Sequence, residues 1–354
     1  MNKHYNAIIV GQGIAGTLIS YALLSRGQSV YVIDKPQDYA ASKAAAGLIN
    51  PITGRYYTKS WMIDDLIPAA IKTYQSLETL LQMQYWYPGD IYRTLHNVKQ
   101  CNDWSARLLQ EPYQAYAKST TDQGPYKSQV SKGEGVALIS GGGRVEVAKL
   151  NEAYRHYLKS IDCFSEELFD HDRLVQEDSL LCYGEITADY IVFSEGAGLI
   201  ANPLFNHLPL QPAKGEAFHI KSDVISEKHD ILKHMQYLVP TEEDKTYWSG
   251  GGFRWKYDTY KPTEEWKIKQ TGELSEFISG GYTIVKHVAG VRPCVKDRKP
   301  LIGRHTDHER IYLFNGLGTK GTSLGPYFAD MLAEHILNNG SIIPEVDLSR
   351  FAKG

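Results

Sequence analysis

The sequence predicts an α/β protein: a doubly wound sheet of mainly parallel strands, with an antiparallel-sheet α+β unit inserted into it. Three observations carry that prediction. A strand-type apolar run, Tyr5 to Val10, enters the glycine turn Gly11-Gln-Gly13-Ile-Ala-Gly16 and then a helically spaced apolar stretch. Near the other end, Ile311 to Phe314 repeats the order of strand, glycine turn and helix. Between them, residues 213–289 alternate polar and apolar, as half-buried antiparallel strands do.

Composition narrows the function classes. The 354 residues allow about two domains. A hydrophobic content of 42% supports a large core and excludes disordered and fibrous chains. With 38 Lys+Arg against 41 Asp+Glu, the net charge is −3, which argues against a broad nucleic-acid-binding surface. Cys101, Cys163, Cys182 and Cys294 lie far apart with no CxxC, so neither a disulfide framework nor a zinc ribbon is expected, and a reducing cytoplasm is. The apolar runs fall well short of the roughly 18–20 residues of a membrane span. The N-terminus enters a strand almost at once, so no secretory leader is expected. The histidines are scattered, and His219, His287 and His305 sit in strand-like contexts that suit structural roles; no metal site is expected.

The elements follow in order. After Val10 and the turn, Ile14, Leu18, Ile19, Ala22 and Leu23 keep helical spacing, and Gly27 suits the position past the helix end. Ser29 to Ile33 is a second strand, ended by Asp34. Trp61 to Leu81 reads as a long amphipathic helix and Val145 to Leu158 as another. Asp189 to Phe193 is a strand that ends in Ser194-Glu-Gly196-Ala-Gly198, and Gln236 to Val239 is a short strand. A last helix runs from about Gly325 to Leu337. The expected division is interleaved: 1–60, 141–212 and 290–354 form the α/β layer, and 61–140 and 213–289 the inserted unit.

GxGxxG alone is weak, but here a strand precedes it, a helix follows it and an acid lies about 20 residues on, the Rossmann-type dinucleotide fingerprint. Gly11 permits the tight turn, Gly13 lets backbone approach a pyrophosphate, and Gly16 lets helix pack on strand. The helix N-terminus offers free N–H groups to phosphates. Asp34 suits a ribose diol. The alternative is a nucleotide-free turn whose glycines serve packing, and the fingerprint does not separate NAD from FAD. The small-residue run Ser42-Lys-Ala-Ala-Ala-Gly47 and the C-terminal Gly316-Leu-Gly318-Thr-Lys-Gly321-Thr322 allow backbone close to a long ligand at both ends of the chain, which favours FAD. Gly196 joins the cofactor candidates at the end of the middle strand.

These residues carry a resemblance. HYNAIIVGQGIAG, ASKAAAGLINP, LPLQPAKGEAF, QYLVP, AGVRPCVKDRKPLIGRH and NGLGTKGTSLGP together resemble the D-amino acid oxidase / glycine oxidase superfamily of FAD-dependent oxidoreductases. The GLGTKG turn is similar to the oxidase domain of the bifunctional tRNA 5-methylaminomethyl-2-thiouridine enzyme. The resemblance implies a FAD domain with an antiparallel substrate-domain sheet over the flavin. It places Ile14 and Ala15 at the pyrophosphate, Asp34 and Lys35 at the adenosine ribose, and Glu167 at the adenine. Ser42, Lys43, Ala46 and Gly47 run along the flavin, and Gly316, Gly318, Thr319, Lys320, Gly321 and Thr322 surround its ring. It assigns Arg292 to the substrate carboxylate and Tyr237 to the substrate. Glycine oxidases carry a second arginine where Thr319 stands, so a substrate larger or less anionic than glycine is expected.

From the residues themselves, Arg292 sits at the end of a strand-like run and its planar fork suits a carboxylate. The alternative is an ion pair with Asp297. Tyr237 is either a substrate partner or a packed strand tyrosine. The resemblance implies oxidation of the C–N bond of a small amino acid or secondary amine: hydride passes to the flavin, the imine hydrolyses, and molecular oxygen accepts the electrons. Two other readings remain: an oxidase that removes a carboxymethyl group from a tRNA wobble uridine, and a non-catalytic flavin-binding protein. Oligomeric state is not legible.

Overall fold

The N-terminal apolar run forms the strand Lys3–Val10 at the centre of a sheet. Val30–Ile33 and Phe164–Ser165 follow on one side, and Ile186–Phe193 and Ile311–Asn315 on the other, all parallel. The structure, a computed structural model, describes residues 3–120, 133–177, 179–223, 225, 230–278 and 281–351. Side-chain alternation buries both faces of the central strand. Ala7 and Ile9 join a core with the helices Ile14–Leu24, Ile63–Leu81, Val147–Ser160 and Gly321–Asn338. Ile8 and Val10 join a second core with Phe169, Leu199, Phe205 and Leu313.

The second large sheet runs in the order Thr283–Val295, Leu210–Lys221, Thr246–Gly250, Tyr237–Pro240, Ile231–Lys233, Ile91–Leu95, Gly135–Ile139 and Ala117–Lys118. It is antiparallel apart from the parallel pair Ile231–Lys233 and Ile91–Leu95. One face packs against Leu274 of the helix Glu264–Phe277, through Phe218, Leu232, Leu238 and Tyr247. The other face carries Ile91, Ala217, Ile231, Val239 and Trp248, and meets Ala46, Leu48 and Ile52 from the first layer. This α/β architecture with its antiparallel sheet matches the predicted fold class.

Four expectations are revised. The helix Ile63–Leu81 packs in the first layer, with Leu66, Ala70, Tyr74 and Leu77 in the core that holds Ile9 and Phe328. Tyr74 Oη donates to the Thr322 carbonyl at 2.8 Å, which fixes the helix there. Amphipathic spacing shows that a helix has a buried face, not which layer receives it. The last helix starts at Gly321, earlier than Gly325, because Gly325 serves close helix packing: a Cβ there would lie 2.4 Å from Leu18 Cδ1. The alternation in 213–289 is interrupted by the helix Glu264–Phe277. The expected boundaries at 212/213 and 289/290 fall inside Leu210–Lys221 and Thr283–Val295, two strands paired through both points. Residues 121–132, within the expected second unit, lie outside the described residues.

Candidate cofactor and substrate site

The first glycine turn shows a different constraint at each glycine. Gly11 has φ +91°, and a Cβ there would lie 2.6 Å from the Ser194 carbonyl oxygen. At Gly16 a Cβ would lie 1.8 Å from the Gly11 carbonyl oxygen. Gly13 has an ordinary φ of −78°, and a Cβ there would meet only Ser42 Oγ, at 3.5 Å. Two glycines are therefore demanded by the fold, and Gly13 leaves open space on the ligand side. Ser42 Oγ accepts the first helical amide, Ile14 N, at 3.1 Å.

That space is a cavity of about 790 Å³. Gly11, Gly13, Ile14, Ala15, Asp34, Lys35, Ser42, Lys43, Glu167, Gly196, Gly318 and Gly321 all line it, from both glycine turns and the ends of the parallel strands. Gly16, Ala46, Gly47, Gly316, Thr319, Lys320 and Thr322 do not line it. Gly47 (φ +66°) lets the chain press on Val145, whose carbonyl oxygen would be 1.8 Å from a Cβ. Gly316 (φ +73°) packs against Val295. Thr322 Oγ1 donates to the Leu48 carbonyl at 3.3 Å, and Thr319 is exposed.

Several wall groups are missed by the sequence reading. Arg155, from the helix Val147–Ser160, lies 3.0 Å from Asp34 Oδ2. Glu167 faces Arg173 at 3.7 Å. Gln12 Oε1, Arg155 Nε, His171 Nδ1 and Ser194 Oγ are buried on the cavity wall without a protein partner. Buried polar atoms of this kind fit a polar, elongated ligand.

Beyond the far end of the cavity, Lys320 begins a polar chain. Its Nζ donates to Ser60 Oγ at 3.2 Å, Ser60 donates to the Asn50 carbonyl at 3.0 Å, and Asn50 Nδ2 donates to Tyr237 Oη at 3.2 Å. Burial pushes the Lys320 ammonium pKa down, and Arg298 adds to the effect. Burial pushes the Tyr237 phenol up, against the bond from Asn50. Arg292 Nη1 donates to the Gly252 carbonyl at 3.3 Å. Burial lowers its pKa from the ordinary arginine value. The alternative ion pair is absent, since Asp297 binds Arg350 at 3.1 Å. A Cβ at Gly251 would lie 3.9 Å from Tyr237 Cδ2, so Arg292 and Tyr237 flank one glycine segment.

The profile of the FAD dependent oxidoreductase (DAO) family matches residues 6–335. The chain belongs to the DAO family of FAD-dependent oxidoreductases. A glycine oxidase of Bacillus subtilis (strain 168) is 22% identical, over 96% of this chain and 94% of its own. A tRNA 5-methylaminomethyl-2-thiouridine biosynthesis bifunctional protein of Shewanella amazonensis is 23% identical, over 93% of this chain and 56% of its own, so this chain spans about half of that protein. The iminodiacetate oxidase of Chelativorans sp. BNC1 shares the fold, with a TM-score of 0.78 at 19% identity and 98% coverage of both chains. As a DAO family member the protein is a FAD-dependent enzyme, and the glycine-turn cavity fits that cofactor. No helix among the described residues is long and apolar enough to cross a membrane.

Proposed function

We propose that the protein oxidises the C–N bond of a small amino acid or secondary amine, with molecular oxygen as acceptor, in a reducing cytoplasm. The observation that carries this reading is Arg292: a half-buried guanidinium with no carboxylate partner among the described residues, beside Tyr237. A cation in that setting is matched to a ligand carboxylate. The names of the glycine and iminodiacetate oxidases, both amine substrates, support it. Free Cys101, Cys163, Cys182 and Cys294 suit the compartment.

In this reading the residues divide the work. Gly11 to Ala15, Asp34, Lys35, Ser42 and Lys43 hold FAD along the cavity, and Gly318 and Gly321 border its ring end. Bound FAD supplies the two-electron acceptor for the substrate's Cα hydrogen. Arg292 orients the substrate through its carboxylate. Tyr237 receives a hydrogen bond from Asn50, so its own proton is free to donate to the same carboxylate. The test is anaerobic mixing of the yellow protein with a panel of amines, followed by air and a peroxide assay. Bleaching by an amino acid or secondary amine, with peroxide on reoxidation, is expected. A flavin that no amine bleaches overturns the reading and leaves a flavin-binding protein.

A second reading is removal of a carboxymethyl group from a tRNA uridine. It rests on the Shewanella relative and on exposed rings beside Arg292: Phe253, 5.9 Å from the guanidinium, and Trp255. Bleaching by carboxymethyl-modified tRNA, weakened by salt, would favour it.

A further inference from the structure

The antiparallel sheet turns one face towards Ala46, Leu48 and Ile52, and strand register fixes what else that face carries. Lys233 is paired with Arg93 on one side and with Tyr237 on the other. Tyr237 is paired with Gly250, and Gly250 with Ala217. Paired residues share a face, and alternation adds Gly215 and Ala213 to that of Ala217. Ala213 is paired with Arg292. One face therefore holds Arg93 and Lys233 at one end, Tyr237 further in, and Arg292 at the other end. Between them lie Gly250 and Gly215, which have no side chains. The Arg292 guanidinium reaches inward over this floor: a Cβ at Gly215 would lie 2.7 Å from its Nη2.

Among the described residues the cations at the Lys233 end form no ion pair. Lys233 Nζ lies 4.7 Å from the Tyr237 ring centroid and donates to the Met235 carbonyl at 2.6 Å. Arg93 donates to the Gly54 carbonyl at 2.7 Å and lies over the Tyr57 ring. Among the described residues no ion pair to Arg93, Lys233 or Arg292 occurs; each donates to a backbone carbonyl. The acid that acts on Lys233 at longer range, Glu273, is engaged by Lys269 and Gln236. Burial and the neighbouring Arg93 pull Lys233 down to a pKa of about 8. Two adjacent cations in a part-buried site repel each other until an anion joins them.

We propose that the site takes an amine with a carboxylate at each end, one held by Arg292 and the other by Lys233 and Arg93. This rests on Arg292 being the substrate-carboxylate residue of the proposed oxidase. Of the two alternatives drawn from Thr319 it keeps the larger substrate and drops the less anionic one: the charge absent from the C-terminal turn is supplied from the sheet.

The test uses the FAD-loaded enzyme and matched secondary amines in anaerobic rapid mixing. Iminodiacetate, N-(2-carboxyethyl)glycine and N-(3-carboxypropyl)glycine are compared with N-methyl-, N-ethyl- and N-propylglycine. At least one diacid should reduce the flavin about ten-fold or more efficiently than its monoacid partner, through a lower apparent Kd. Lys233→Met and Arg93→Met should each erase most of that ratio, and Lys233→Arg should keep it. Monoacids that bleach the flavin as well as diacids overturn the dianion assignment and leave the oxidase reading standing. So does a diacid preference that survives both substitutions. If no amine of either set bleaches the flavin, the oxidase reading fails and the inference fails with it.

Discussion

Asn50 Nδ2 donates to Tyr237 Oη at 3.2 Å. The bond joins the segment after Gly47 to the antiparallel sheet and sets the polarity of the phenol. Because the oxygen already accepts from Asn50, the Tyr237 proton points elsewhere. In Asn50→Asp the carboxylate takes that proton, and Tyr237 can no longer donate to a substrate. KM for the best amine should rise by about 10- to 150-fold, the worth of one hydrogen bond to a charged group (about 1.5–3 kcal/mol), with kcat nearly unchanged. Asn50→Asp should cost nothing further in a Tyr237→Phe background. Additive losses in the double variant would show that Asn50 acts independently of Tyr237.

Arg292 binds ground and transition states alike if it holds the carboxylate, so its loss appears mainly in KM. Arg292→Ala should cost roughly 2–5 kcal/mol, or about 30- to 4,000-fold in kcat/KM. Arg292→Lys should also lose activity, because a point charge cannot replace the bidentate fork. FAD content should be unchanged in both. Asp297→Ala should leave KM alone and lower Tm slightly, since Asp297 serves Arg350. An unchanged KM in Arg292→Ala would sink the carboxylate assignment.

The two later glycines of the first turn should fail differently. Gly16→Ala puts a methyl 1.8 Å from the Gly11 carbonyl oxygen, so the cofactor-free protein should already melt early. Gly13→Val adds bulk only towards Ser42 and the cavity, so cofactor-free Tm should hold while FAD is lost. Flavin absorbance and calorimetry on the cofactor-free proteins separate the two outcomes. A yellow Gly13→Val protein would contradict the pyrophosphate assignment.

Acid should destabilise the fold through its histidines. Burial lowers His96, His219, His234, His287 and His305, and His234 falls to about 4, with His96 and Lys233 adding to its burial. Their unfolded pKa is about 6.5. Above that value both states are neutral and nothing is lost. As pH falls from about 6.5 towards 4, the unfolded chain binds protons that the folded chain refuses, so stability drops. Tm measured across that range should fall, and His234→Gln should flatten part of the slope. A flat profile would show that the histidines protonate without cost.

The first glycine turn is legible in sequence because its spacing is fixed by the turn itself. Gly16, three residues after Gly13, answers to the Gly11 carbonyl, and Gly11 to its own positive φ, while the Ser194 carbonyl that also presses on Gly11 comes from a distant strand end. Arg292 and Tyr237 are legible as candidates but not as neighbours, because Gly251 and Gly252, which follow the strand Thr246–Gly250, bring them together. Arg155 meets Asp34 across 121 residues, and no local pattern marks that pair. Asn50, Ser60 and Lys320 form their chain only after three separate segments meet. The basic cluster at Lys233 depends on a parallel pairing with Arg93, and alternation within a strand says nothing of its neighbour.

At Gly290 the antiparallel sheet comes so close to the first layer that a Cβ there would lie 3.0 Å from Ala44 Cβ and 3.1 Å from Ala41 Cα. Trp248 Nε1 ties the same place, donating to the Ala44 carbonyl at 3.0 Å. Positions 41, 44 and 290 are therefore free to change only in concert. A chimera that imports another relative's substrate sheet into this protein would have to bring residues 40–44 with it. The natural unit of exchange for altering specificity is the sheet together with that short helical turn, and grafts cut at the sheet's edge should lose the cofactor before they gain a new substrate.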